Sequence, residues 1–420
     1  MIFKILKENL NYLKNVGNLS LGTIFAGIIP ILFYPIFTRL YSPEDLGAFQ
    51  IFFSLGSYFV LVSSFRFELA FFQINNVFKR IKLLSLCFYL NILVSLFALI
   101  FTIVSYNIEN KLYITLGNLI FMLPIFSLAG GFMLLSSQIS ISLKKFKVFV
   151  KAKIFQNSSL ILQQFFFGIS SFKLFGLIIS DINSRFFFTI STIPKKNYKL
   201  LFLSVKNFSF YDFKKYFNEY KNFAIINIPS KLINLSAINL PIILIGLKYD
   251  PKFVGFYFLI DRIFAPLNIF ISEALSNVLS SELNTNTNSK LKIKRNFFTN
   301  LFISTLTIIP YIIIIPFIED FIDLVFGSNW NEASKFYIIL LPMFVFGIIS
   351  TTFNNVLAIL NKLKTQLILD IARTSVLLAV TLYCTSNDVP VYNFFIIFSI
   401  TAALFYISTI YLSYYFIDRL

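Results

Sequence analysis

The chain contains no histidine. That absence excludes a Ser–His–Asp triad, a histidine-ligated zinc and a histidine proton relay. The two cysteines, Cys87 and Cys384, fall in separate apolar runs and form no metal-type spacing, so they read as small packed hydrophobes. Charge is scarce, at 13% of 420 residues, and acids are scarcer still: 19 Asp and Glu against 36 Lys and Arg. No two of the 14 glycines stand four residues apart, which excludes a seam of paired glycines on one helix and assigns bundle cohesion to Phe and Ile shape. No polar stretch is long enough for a separate water-soluble domain.

What is present is apolar length. The chain is 57% hydrophobic with a mean hydropathy of +0.79. A water-soluble globule does not carry this composition, so the lipid bilayer is the solvent. At about 20 residues per spanning helix plus short turns, the chain has room for ~12 spans. The expected spans are 15–38, 46–71, 83–106, 113–140, 154–172 and 174–193, then 223–247, 253–281, 297–318, 334–358, 366–385 and 391–416. The first follows a charged start (Lys4, Lys7, Glu8, Lys14) and has no small-residue cleavage site, so it reads as a retained helix.

The net charge of +17 could suggest nucleic acid, but the cations lie in alternate loops. They crowd the N-terminus, Lys79 to Lys82, Lys144 to Lys153, Lys195 to Lys221, Lys290 to Arg295, and Lys362 with Lys364, while the intervening loops are nearly free of them. The positive-inside rule makes the crowded loops cytoplasmic, which also places both termini inside and requires an even number of spans. Anionic lipid headgroups are the expected partner of such a face, and nucleic acid is not.

A repeat organises the chain. Tyr41, Ser42, Pro43 and Gly47 reappear as Tyr249, Asp250, Pro251 and Gly255, each set between two long apolar runs. Leu123-Pro124-Ile125-Phe126 matches Leu341-Pro342-Met343-Phe344, and Lys145-Phe146-Lys147 matches Lys362-Leu363-Lys364. The expected architecture is an all-α polytopic membrane protein of two six-helix lobes, 1–193 and 223–420. The even helix number per half sets their pseudo-twofold axis along the membrane normal. Residues 194–222 join the lobes as a basic amphipathic stretch expected on the inner membrane face.

Ionisable groups inside apolar runs carry the functional signal, because each costs roughly 2.5–3.5 kcal/mol at a helix centre and therefore faces protein or water. They are Arg66 and Glu68, Asp181 and Arg185, Lys231, Asp261 and Arg262, Glu273, and Asp370 with Arg373. Spacing allows Asp181 to meet Arg185 and Asp370 to meet Arg373 on one helix face. Lys231 has no acid one turn away and shares its face with Asn227 and Asn234. Arg66, Lys231 and Arg262, with those asparagines, form a candidate cationic patch for phosphate or diphosphate. Glu68, Asp181, Asp261, Glu273 and Asp370 have two readings, as sites that couple protons or sodium and as structural partners of cations. Arg66 and Glu68 read equally as a pair snorkelling at a helix end. Pro30, Pro35, Pro229, Pro241 and Pro266 each remove a helix hydrogen bond and mark either hinges or static kinks.

One resemblance covers most of the chain. Pro35 to Gly47 (with Arg39, Leu40, Tyr41, Ser42, Pro43, Glu44, Asp45 and Leu46), followed by Arg66-Phe67-Glu68-Leu69-Ala70, resembles the start of Wzx-type O-antigen and polysaccharide flippases. Gly255-Phe256-Tyr257, Asp261-Arg262, Pro266, Phe326-Gly327, Trp330, Ala333 and Leu341-Pro342 continue it. These belong to the multidrug/oligosaccharidyl-lipid/polysaccharide (MOP) flippase superfamily. The resemblance implies twelve helices in two lobes around a central cavity, open alternately to either side of a bacterial inner membrane. It implies undecaprenyl-diphosphate-linked oligosaccharide as cargo, polysaccharide polymerase and chain-length machinery as partners, and no cofactor beyond proton or sodium coupling. Two other functions remain open: a small-molecule exporter of the same superfamily, and an integral membrane polysaccharide polymerase. Cationic candidates argue against a cation exporter, and short outward loops argue against an enzyme.

Overall fold

The computed structural model describes residues 22–23, 25–74, 76–108, 111–193, 205–283, 290–353, 355–360 and 362–419. Among them the secondary structure is helical throughout. Twelve long helices follow one another: α1 (Phe25–Leu40), α2 (Pro43–Val62), α3 (Val77–Asn107), α4 (Leu123–Ser142), α5 (Phe146–Ile169), α6 (Lys173–Thr192), α7 (Phe210–Lys248), α8 (Pro251–Leu283), α9 (Lys290–Leu306), α10 (Ala333–Phe353), α11 (Leu363–Ser386) and α12 (Val391–Asp418). Nine helical segments among the described residues are long and apolar enough to cross a membrane. α1 is shorter, and α5 and α8 are interrupted by polar residues; with these three the expected twelve are present.

The chain divides into two units. The first holds residues 1–41 and 51–232, the second residues 42–50 and 233–420. Both pack their helices in the same pattern. In the first, α4 lies on α6 and α5 on α6; in the second, α10 lies on α12 and α11 on α12. The repeated tyrosines do equivalent work. Tyr41 donates its hydroxyl to the Gln164 carbonyl in α5 at 2.6 Å, and Tyr249 donates to the Val389 carbonyl just beyond α11 at 2.6 Å.

The repeated Pro and Gly meet inside the second unit, which includes the first turns of α2. Ser42 caps α2 by accepting the Asp45 N–H at 3.2 Å, while Asp45 Oδ2 accepts the Ser42 N–H at 3.1 Å. Asp250 caps α8 by accepting the Lys252 N–H at 2.9 Å. Proline follows each cap, where its missing N–H costs nothing. One turn on, a methyl group placed on Gly47 would stand 1.9 Å from the Pro251 carbonyl oxygen, and one on Gly255 would stand 2.0 Å from the Pro43 carbonyl oxygen. The contact is reciprocal and only hydrogen fits. This corrects the expectation that glycine plays no part in cohesion: each helix contributes one glycine to a crossing, which a search for pairs on one helix does not detect.

Other expectations need correction. The span at 46–71 ends at Val62; residues 67–72 form a 3₁₀ turn preceded by Phe65 and Arg66 at φ 53° and 61°, a left-handed conformation that no helix continues. Arg66 and Glu68 therefore lie outside the membrane helices. The span at 154–172 begins earlier, at Phe146, so Lys147, Lys151 and Lys153 belong to a helix rather than to a loop. The span at 297–318 is broken: α9 stops at Leu306, and short helical pieces begin next to Pro310 and Pro316 before a helix over Ile318–Phe326. Each proline lacks the N–H that would extend the preceding turn.

The joining stretch is also more ordered than an interfacial ribbon. Its described part from Phe210 is continuous with the seventh span, and Tyr216 and Tyr220 are buried against Phe67, Phe71, Leu83 and Leu86. Lys82 binds Asp212 at 2.7 Å and Lys79 reaches Glu219 at 3.3 Å, so α3 holds the start of α7 by charge as well as by aromatic packing. Of the apolar residues read on this stretch, Phe208, Phe213 and Phe217 pack on that cluster, while Phe210 is exposed.

Candidate functional site

The most deeply set charges belong to the first unit. In α6 the Arg185 Nε donates to Asp181 Oδ2 at 2.5 Å, one turn away. The two side chains are 9% and 12% exposed. α4 makes room for the guanidinium, because a methyl group on Gly130 would stand 2.7 Å from Arg185 Nη1. The guanidinium carbon lies 4.0 Å from the centre of the Phe126 ring and 5.5 Å from that of Phe53, so two aromatic faces supply attraction where water is missing. Half-buried Lys153 of α5 lies within electrostatic reach of both Arg185 and Asp181, and its Nζ donates to Gln156 Oε1 at 3.0 Å. Arg185 thus pairs with the carboxylate, while Lys153 lies near the pair with no ion pair of its own among the described residues. A surplus positive charge at that depth suits an anion, because an unpaired buried charge is costly and a phosphate relieves it.

The second unit carries a balanced group. In α11 Arg373 Nη2 lies 3.3 Å from Asp370 Oδ1. Asp261 of α8 and Arg373 both lie within electrostatic reach of Tyr406 of α12, and Tyr257 adjoins Asp261. Arg262 stacks over the Phe258 ring at 4.9 Å. Thr374, one turn from Asp370, donates to the Asp370 carbonyl at 2.8 Å. One ion pair, Asp370 with Arg373, thus stands in a group that also holds Asp261 and Tyr406.

Other sequence candidates take varied positions. Lys231 is exposed in α7, with no ion pair among the described residues, and Asn227 turns its amide to the Phe223 carbonyl at 3.0 Å. Asn234 is half-buried in the second unit. Lys231 and Asn227 fall in the first unit and Arg262 in the second. Glu68 is fully buried; Arg66 Nη1 stands 3.1 Å from its Oε1 and Ser64 donates to its Oε2. Burial pushes the Glu68 carboxyl above its ordinary range, with the Ser64 hydrogen bond and Arg66 pulling the other way. The Glu273 and Pro266 side chains lie outside the described residues.

The prolines sit inside continuous helices. Pro30 frees the Ala26 carbonyl, four residues back, and Asn157 of α5 donates its amide to that oxygen at 2.6 Å. Thr38 donates to the Tyr34 and Pro35 carbonyls at 3.1 and 3.2 Å. Pro229 and Pro241 lie within α7. Lys153 was missed because the hydropathy boundary excluded it; the repeat held the signal, since the register that pairs Lys145 with Lys362 carries Lys153 onto Asp370 and Gln156 onto Arg373.

Comparison with known proteins follows the same lines. Among curated proteins no sequence match is found. Two solved structures of similar fold are an inward-facing multidrug resistance MATE family transporter of the MOP superfamily, and the lipid II flippase MurJ in an inward closed conformation. The first is 16% identical, with a TM-score of 0.64 over 96% of this chain and 94% of that one. The second is 16% identical, with a TM-score of 0.67 over 96% of this chain and 90% of that one. At such identity the likeness is one of fold, that of an all-α polytopic membrane protein. The family model described as polysaccharide biosynthesis protein matches residues 36–335, most of the chain, and the protein therefore belongs to the polysaccharide biosynthesis protein family.

Proposed function

We propose that the protein is a flippase that moves undecaprenyl-diphosphate-linked oligosaccharide across the bacterial inner membrane, exposing its binding groups alternately to the two faces, without covalent chemistry. The observation that carries this reading is the charged group in the first unit, where Arg185 pairs with Asp181 and Lys153 lies within electrostatic reach of both, with no ion pair of its own among the described residues. A diphosphate offers the charge that this cluster lacks, and family membership supports a role in glycan assembly. Arg66, Lys231 and Arg262, with Asn227 and Asn234, are proposed as further contacts for the diphosphate or the sugars. Asp261 and Asp370, beside tyrosines and arginines, are proposed as the groups that couple transport to protons or sodium, and the basic loops are proposed to face the cytoplasm with both termini. Polysaccharide polymerase and chain-length proteins would act on the delivered units.

A deletion strain tests this. Accumulation of complete repeat units on the inner leaflet supports flipping. Unpolymerised units displayed outside would indicate a polymerase instead, and drug sensitivity with normal surface glycan would indicate an exporter.

A further inference from the structure

The first unit also contains a cavity of about 560 Å³ that the charged cluster does not use. Its volume lies within the ~300–1,000 Å³ typical of small-molecule sites. It opens among α3, α4 and the end of α6, at the end of the unit where the basic loops lie. The walls are apolar, with Phe88, Phe132 and Ile139 prominent. Of the hydroxyls in them, Ser136 donates to the Met133 carbonyl at 3.0 Å, Thr189 to the Arg185 carbonyl at 3.0 Å and Thr192 to the Thr189 carbonyl at 2.8 Å. The one charged residue among the described lining is Lys145, at the start of α5, beside exposed Lys144 and Lys147.

We propose that this cavity holds an acyl chain of an anionic phospholipid from the adjoining leaflet, with the phosphate at Lys145. An apolar chamber joined to a cationic rim matches the two parts of such a lipid, and a soluble anion would gain nothing from the chamber. The site is separate from Lys153, Arg185 and Asp181, so it stands whether or not the flippase reading holds.

The test uses the full-length chain in detergent, with phosphatidylglycerol and phosphatidylcholine as probes and retained lipid counted by native mass spectrometry. Wild type is expected to keep one phosphatidylglycerol at least tenfold more strongly than phosphatidylcholine. Ser136→Phe, which fills the chamber and leaves every surface lysine in place, is expected to lose that lipid. Lys145→Gln, an exposed change with no demand on folding, is expected to retain lipid with the headgroup preference reduced several-fold. Unchanged retention in Ser136→Phe overturns the proposal. So does an unchanged preference in Lys145→Gln, displacement of the lipid by inorganic phosphate alone, or stronger binding of a polyisoprenyl phosphate than of phosphatidylglycerol.

Discussion

Helices α5 and α11 hold the same place in the two halves and diverge in what they carry. Both are 24 residues long and both begin at the repeated Lys-x-Lys. At matching positions α5 presents Lys153 and Gln156, and α11 presents Asp370 and Arg373. The scaffold around them is shared, down to the Tyr41 and Tyr249 hydroxyls and the reciprocal Gly47 and Gly255 contact. The repeats therefore keep the groups that shape the backbone and differ in the sign of the half-buried charge at this position. The first unit places Lys153 near the Asp181–Arg185 pair, while the second places Asp370 in an ion pair with Arg373.

The largest effect should come from breaking the two ion pairs separately. Asp181→Ala leaves buried Arg185 without its ion-pair partner and half-buried Lys153 beside it, and a loss of ~3–5 kcal/mol is expected. Asp370→Ala leaves Arg373 26% exposed, so its loss should stay within ~1 kcal/mol. Thermal unfolding of both variants checks the difference, and equal losses would erase the contrast between units.

The shared scaffold predicts equal effects instead. Gly47→Ala and Gly255→Ala should each cost ~1–3 kcal/mol through overpacking. Gly27→Ala, where nothing lies within 4 Å, is the control and should be near neutral. Tyr41→Phe and Tyr249→Phe should each cost ~1 kcal/mol, the net value of one hydrogen bond. A large inequality within either pair would show that the repeats have diverged structurally.

The smallest effect concerns Glu68. Its folded carboxyl titrates above the ordinary range because of burial, so the stability it contributes is present at low pH and declines as pH rises through its folded value. Glu68→Gln should raise the melting temperature slightly at alkaline pH and leave it unchanged at acid pH. A melting temperature raised equally at both would refute the assignment.

Much of the fold was legible because membrane helices announce themselves by apolar length, and the duplicated Tyr, Pro and Gly make equivalent contacts. Hydropathy located α5 too late because Lys147, Lys151 and Lys153 lower the local average, although helices readily hold lysine in their first turns. It ran α2 through Phe65 and Arg66 because an apolar run carries no mark of left-handed dihedrals. The pairing of Asp181 with Arg185 followed from spacing alone, as did that of Asp370 with Arg373. The repeat register aligns Lys153 with Asp370, but its nearness to Asp181 and Arg185 required the fold, because the packing of α5 on α6 is a tertiary fact.

The most direct measurement is the flipping rate of a fluorescent polyprenyl-diphosphate oligosaccharide in proteoliposomes containing wild type or Lys153→Gln at equal protein density. Removing one charge-assisted contact worth ~1.5–3 kcal/mol should slow transport by roughly tenfold or more, with the variant still folded. A Lys153→Gln rate equal to wild type would contradict the claim that the surplus cation of the first unit serves an anionic cargo.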